Sequence, residues 1–297
     1  MAAISNSNTA TTLAPRLYTE YIEQTLTRTP RAVTLANDLA YIPPEVSQTK
    51  RYVVNNLGNP SASSAYTETD TVDSFELSPT ATNFDTALYA VGTAIGDWGA
   101  KLNPAHVSEL ALAVQTAVDE RLETDVIALA SSLTNTTGSA STKMTLTYFV
   151  TVTAAYRALT KRSTGMPRMV LNEIARRDFM NDCMSAGASI LGAIGPALAA
   201  FLGGANQGEW VPFGGFMIAS SDRMTAGDTT GKRNIIVGDP TSIATAAYVL
   251  PFSMAPRYEM ARGTAAQRLA TWMFGQHAHV AGISNQARGY NFTTAGS

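Results

Sequence analysis

The longest regular pattern of apolar and polar positions runs from Asn103 to Leu133 (NPAHVSELALAVQTAVDERLETDVIALASSL). Val107, Leu110, Val114, Val118, Leu122, Val126 and Leu129 recur at steps of three or four, and Glu109, Gln115, Asp119, Glu123 and Asp125 fall off that stripe. Such spacing predicts one amphipathic helix with its apolar stripe turned to a core. Asn103 suits the cap and Pro104 the first helical position, where a missing N–H costs nothing. At a rise of about 1.5 Å per residue the helix would span on the order of 45 Å, so other elements must lie along its whole length.

The remaining patterns are shorter. Leu17–Leu26 reads as a short helix, and Pro43 and Pro44 impose an extended path after it. KRYVVNNL (Lys50–Leu57) predicts a strand, GNPSASS a tip, and Tyr66–Leu77 a return strand, together a long hairpin with few apolar residues that needs support from elsewhere. Its basic limb, Lys50 and Arg51, faces an acidic one, Glu68, Asp70, Asp73 and Glu76, for pairing within the hairpin or across a subunit contact. Phe84–Val91 (FDTALYAV) predicts one core strand, Asn135–Thr142 a loop, and Thr147–Leu159 a helix with Phe149, Val152, Tyr156 and Leu159 on one side. Met169–Leu171 is a buried-type strand followed by a helix over Glu173–Met184. Glu209–Arg223 reads as hairpin strands, and Asn234–Gly238 as a strand leading to a helix near Thr241–Tyr248. In RLATWMFGQHAHV, alternate residues fall on opposite faces of a strand, and the tail from Gly289 is small and polar.

Composition then narrows the classes. The chain of 297 residues is 45% hydrophobic, enough for a sizeable core in one large or two smaller domains. With 21 basic against 23 acidic residues and no basic block, tight binding to nucleic acid through phosphate neutralisation is not indicated. A single cysteine, Cys183, excludes an internal disulfide framework. The amino terminus carries no charged region followed by an apolar one, so a cytoplasmic protein is expected. Between Cys183 and Gly208 there is no charge, but the glycines and Pro196 interrupt the segment and favour packed backbone over a membrane span.

Catalytic chemistry is not evident. His277 and His279 share a strand face without a third ligand and are expected on a solvated face; His106 stands apart. TAGDTTGKRN resembles a phosphate loop, but three residues rather than four separate Gly227 from Gly231, and Arg233 replaces the magnesium-binding Ser or Thr. It reads as a turn. Asp178 and Asp182 lie one turn apart beside Arg176 and Arg177, an exposed charged face. No catalytic, cofactor-binding or metal-binding residue is assigned.

Taken in order, an arm, a long hairpin, a core strand, the long helix, a mixed domain and a returning strand resemble the major capsid protein of tailed double-stranded DNA phages. This Hong Kong 97-like fold is shared with encapsulins. The stretches that carry the resemblance are FDTALYAVGTAIGDWGAKLNPAHVSELALAVQTAVDERLETDVIALAS, PRMVLNEIARRDFM with GEWVPFGGFMIASSDRM, and RYEMARGTAAQRLATWMFGQHAHVAG. The resemblance implies an α+β fold with an arm at 1–34 and a peripheral domain at 35–48 and 78–166, the latter holding a spine helix at 104–133. An extended loop follows at 49–77, an axial domain at 167–256, and return strands with a tail at 257–297. It implies a virion structural protein, assembled in the host cytoplasm, whose hexamers and pentamers close into an icosahedral shell around DNA held by weak contacts.

Implied partners are copies of itself, a separate scaffolding protein, a portal protein and a cement protein; no cofactor and no membrane are involved. Interface candidates are Lys50, Arg51, Tyr66, Glu68, Asp70 and Phe75 in the loop, and Gly192, Gly195 and Gly203 in the uncharged stretch. Lys50 is the loop's one lysine and sits at its base, so no covalent cross-link is expected. An encapsulin compartment, a soluble α/β enzyme using His106 or the Asp178 region, and another virion or tail protein remain open as alternatives.

Overall fold

The computed structural model describes residues 35–36, 38–40, 42, 51–56, 80–96, 105–159, 165–185, 210–224, 231–239, 246–262 and 270–295. The fold is α+β. Its main sheet has six strands: β4 (Thr136–Gly138), β13 (Gly289–Ala295), β8 (Gly231–Val237), β5 (Arg168–Asn172), β7 (Phe216–Ser221) and β6 (Val211–Phe213), in that spatial order. The runs RMVLN and NIIV are apolar on consecutive residues because both sheet faces are covered. Met169, Leu171, Ile218 and Ile236 enter one core, and their neighbours Val170, Ala219, Ile235 and Val237 enter the other.

Helices α2 (Leu146–Leu159) and α3 (Glu173–Ser185) cover the first face. Between them and the sheet, Phe149, Phe179 and Phe213 meet with ring centroids 5.4 Å apart. Asn172, the last residue of β5, caps α3 by accepting a hydrogen bond from the Ala175 N–H at 2.8 Å. Its amide donates to Asn234 Oδ1 at 3.0 Å and Thr294 Oγ1 at 3.1 Å, so one side chain ties β5, β8 and β13 to the helix start.

The long helix α1 (Ala105–Ala128) buries Leu110, Val114, Val118, Leu122 and Val126, the expected stripe. Leu110 and Val114 pack on Met273 of a second sheet, and Leu122, Val126 and Ile127 pack on the second face of the main sheet with Leu35, Leu39, Tyr248 and Leu250. The helix therefore spans two sheets, which explains its length. It ends earlier than 133, tightening into a 3₁₀ turn over Leu129–Ser132. The carbonyls freed there are taken by side chains: Asn291 donates to Ala130 O and Gln286 to Ser132 O, each at 3.0 Å.

The second sheet orders β10 (Phe252–Arg262), β11 (Ala270–His279) and β3 (Ala87–Gly96). A ribbon pairs β1 (Arg51–Asn56) with β2 (Thr80–Asp85), and β9 (Tyr248–Val249) pairs with β12 (Gly282–Ile283).

Several sequence expectations are corrected. FDTALYAV is not one strand: the chain leaves one sheet at Asp85 and enters another at Ala87. The partner of Arg51–Asn56 is Thr80–Asp85, beyond the return limb expected at Tyr66–Leu77, which lies outside the described residues. The Asn135–Thr142 loop contains β4, recruited by parallel pairing with β13. Tyr248 is a strand residue rather than the end of a helix. Leu159 points to solvent at the close of α2 while Phe149, Val152 and Tyr156 are buried. Gly289–Ala295 is an interior strand, its Tyr290, Asn291, Phe292 and Thr294 buried; alternation of small polar and aromatic residues suits a strand flanked on both edges. In the turn between β6 and β7, Gly214 and Gly215 take φ +59° and +83°, the pair of left-handed residues that a two-residue hairpin loop requires.

Candidate assembly surfaces and the helix seam

Of the interface candidates, Arg51 is described; Lys50, Tyr66, Glu68, Asp70, Phe75, Gly192, Gly195 and Gly203 lie outside the described residues. Arg51 begins β1 opposite Asp85, the last residue of β2, and donates through Nε to Oδ1 at 2.8 Å and through Nη2 to Oδ2 at 3.3 Å. Both side chains are exposed. The hydrogen bond raises the Arg51 pKa and lowers that of Asp85, each group favouring the charged form of the other. It clamps the base of the β1–β2 ribbon, at the end opposite the Asn56–Thr80 pair that flanks residues 57–79.

A second surface was not singled out by sequence. On the three-stranded sheet, even-numbered residues of β3 and β11 face away from α1: Leu88 is 66% exposed, Ala90 and Gly92 are exposed, and Phe274 stands beside Gly92. β3 is also an edge strand among the described residues. An apolar outer face on a long edge strand is the kind of surface that association covers.

The opposite face forms a polar seam with α1. Glu123 was expected off the buried stripe, yet it is buried: its Oε1 accepts from Ser221 Oγ at 3.0 Å and its Oε2 lies 3.7 Å from Arg223 Nε. Burial raises the Glu123 pKa, with Ser221 and Arg223 opposing. Arg223 also meets Glu120 Oε1 at 2.8 Å, so the helix is bolted to the end of β7. Asp119, likewise expected off the stripe, is buried, and burial pushes its pKa up to about 6. The signal was present: Asp119, Glu123 and Val126 follow the same i, i+4, i+7 spacing as the apolar stripe beside them.

The histidines are the largest correction. His277 and His279 do not lie on a solvated face; they are 1% and 0% exposed. Counting from the buried Met273, positions 275, 277 and 279 share its side of the strand, so alternation places both under α1. Their rings stack at 4.6 Å, and Tyr89 of β3 lies 5.4 Å from one and 4.7 Å from the other. His279 Nε2 is 3.0 Å from Asp125 Oδ2, and Arg121 pairs with the same carboxylate at 3.0 Å while lying over the Tyr89 ring.

The other candidates take structural roles. Asp182 accepts from the backbone N–H of Leu146 at 2.7 Å, at the start of α2, and Asp178 pairs with Arg177. Cys183 is buried in the aromatic core, and burial raises its thiol pKa. Gly231, Lys232 and Arg233 open β8 as strand residues, and residues 225–230 of that motif lie outside the described residues. The side chain of His106 and most of the uncharged stretch, residues 186–209, lie outside the described residues. Among the described residues no cluster of three metal-ligating side chains occurs, and no helix is long and apolar enough to cross a membrane.

This arrangement of long helix, three-stranded sheet and six-stranded sheet is the fold of phage major capsid proteins. No protein-family model matches the chain, and no curated protein sequence does. Solved structures do. The capsid of a native GTA particle shares the fold with a TM-score of 0.62 at 9% identity, covering 89% of this chain and 90% of that one. A Mycobacterium phage Che8 chain gives a TM-score of 0.60 at 11% identity, over 83% and 85%. The holo-SrpI encapsulin complex from Synechococcus elongatus PCC 7942 gives 0.61 at 10% identity, over 90% and 88%. These neighbours are structural shell proteins.

Proposed function

We propose that this chain is the major capsid protein of a tailed phage, assembling as hexamers and pentamers into an icosahedral shell around double-stranded DNA, with no catalytic role. The observation that carries this reading is likeness to shell proteins along nearly the whole chain, at 83–90% coverage. In this reading α1 is the spine of a peripheral domain (35–48 and 78–166), 49–77 is the extended loop, and 167–256 is the axial domain, with the 289–295 strand joined to its sheet. The chain 1–34 is the arm, and 257–297 returns to the spine.

Shell assembly multiplies modest heterologous contacts over many copies, so no single interface need be strong. The Arg51–Asp85 fork would aim the extended loop at a neighbouring subunit, and the Leu88–Phe274 face would be covered on assembly. Near-neutral net charge suits a wall that encloses DNA without gripping it. A separate scaffolding protein, a portal and a cement protein would be its partners, and the virion its place, after assembly in the host cytoplasm.

A cellular compartment of the encapsulin type is the second reading, favoured by the equal likeness to the Synechococcus elongatus shell. Negative-stain microscopy of the purified protein, with size-exclusion chromatography, tests both: shells, capsomer tubes or five- and six-membered rings support a coat protein. A monomer that persists at high concentration and with scaffold added would contradict it. A protein cargo found inside shells made in the native cell would favour the compartment.

A further inference from the structure

We propose that His277, stacked on His279, forms an acid-operated latch between helix α1 and the three-stranded sheet, closed while His277 is neutral and sprung when a proton enters it. The geometry leaves His277 nowhere to put charge. The two rings stack at 4.6 Å and 15°, and neither nitrogen of His277 has a hydrogen-bond partner among the described residues. The groups facing them are Arg121 and Asp125 from α1 and Tyr89 from β3, while β10 presents the apolar Phe252, its ring 6.2 Å from that of His279. Among the described residues Asp125 is the one carboxylate in reach, and it is already shared with Arg121. Burial would raise the Asp125 pKa, but the His279 hydrogen bond and Arg121 outweigh it and hold the carboxylate below its usual range. One carboxylate can neutralise no more than one imidazolium, and this one is already bonded to Arg121 and His279.

Burial, reinforced by His279, pushes the His277 pKa down to about 4, with Asp125 opposing. In an opened seam the imidazole would titrate near its ordinary value of about 6.5. The closed joint is therefore at full strength above about pH 6.5, weakens as pH falls through the window, and loses nothing further from this group below about 4. Across the whole window the opening equilibrium changes roughly 300-fold for His277 alone.

Hydrogen exchange of the full chain, corrected for the intrinsic pH dependence, reads this directly in peptides from Val114–Ala128 and Ala270–His279. Between pH 6.5 and 4.5 the protection of these peptides in the wild type should fall roughly 40-fold relative to that in His277→Phe, which keeps a stacked ring but takes no proton. The comparison cancels the opposite contribution of Asp119, whose carboxyl, raised by burial, stabilises the same helix as pH falls. An equal loss in His277→Phe, or a loss spread evenly over the six-stranded sheet, overturns the latch. Asp125→Asn supplies an independent arm should the Phe variant fail to fold: without its carboxylate the seam should open at higher pH, and an unmoved transition overturns the proposal.

Discussion

Asn172 is where the six-stranded sheet and its helices are joined, and its replacement by Ala gives a sharp test of how that sheet is held. The variant loses the cap on α3, worth about 1 kcal/mol. It also loses two buried donor contacts, to Asn234 Oδ1 and Thr294 Oγ1, at about 1 kcal/mol each. The penalty stops there because Asn234 Oδ1 still accepts from the Asn172 backbone N–H at 2.8 Å and Thr294 Oγ1 still accepts from the Asn234 amide at 3.0 Å. A loss of about 2–3 kcal/mol should lower the Tm of dissociated subunits by roughly 5 °C. Subunits rather than shells are measured, because assembly adds its own stabilisation. Asn172→Asp separates the contributions: it keeps an acceptor for the Ala175 N–H but sets a carboxylate against Asn234 Oδ1. If the network matters more than the cap, Asp is at least as damaging as Ala. An Asp variant as stable as the wild type, or an Ala variant within 1 °C of it by roughly the same scale, would refute the reasoning.

Other perturbations follow from the same seams. Asp119→Asn should stabilise the subunit at pH 7 by roughly 1–3 kcal/mol, because burial raises the carboxyl pKa and its ionisation costs stability as pH rises from about 4 through 6. At pH 3.5 the gain should vanish in the same thermal unfolding experiment, and a gain unchanged by pH would argue against it. Tyr248→Phe removes a fully buried hydroxyl without a hydrogen-bond partner among the described residues, so calorimetry should find it neutral or up to about 1 kcal/mol more stable. Val118→Asp puts an unpaired charge on the buried stripe of α1, a loss of about 4 kcal/mol or more, and should abolish soluble subunits; normal yield would disprove the face assignment.

Much of this fold was legible because periodicity is a physical constraint. The α1 stripe could be read because five residues at steps of four had to meet two sheets, and β5 because a strand covered on both sides carries consecutive apolar residues, Met169 to Leu171. What escaped were residues whose chemistry and burial disagree. Glu123 and the two histidines look like surface residues by type, and only their register with Leu122 and Met273 marks them as interior. Gly289–Ala295 escaped for a related reason: its small polar residues are buried by neighbouring strands far away in sequence, through pairings that local pattern does not encode. The break between β2 and β3 is likewise a tertiary event, since Thr86 is itself β-branched and no glycine or proline marks the point. The assembly surfaces were the least legible, because only Arg51 among the proposed contacts falls within the described residues, and the Leu88–Phe274 face emerges only once β3 and β11 are paired.

The central claim is that this chain builds a shell, and cryo-electron microscopy of the assembled product tests it most directly. Five- and six-subunit rings closed into a particle, with α1 running in the wall and the Leu88–Phe274 face covered by neighbouring chains, are the predicted result. Particles in which that face stays open to solvent, or preparations holding nothing larger than free subunits after scaffold is supplied, would contradict the account.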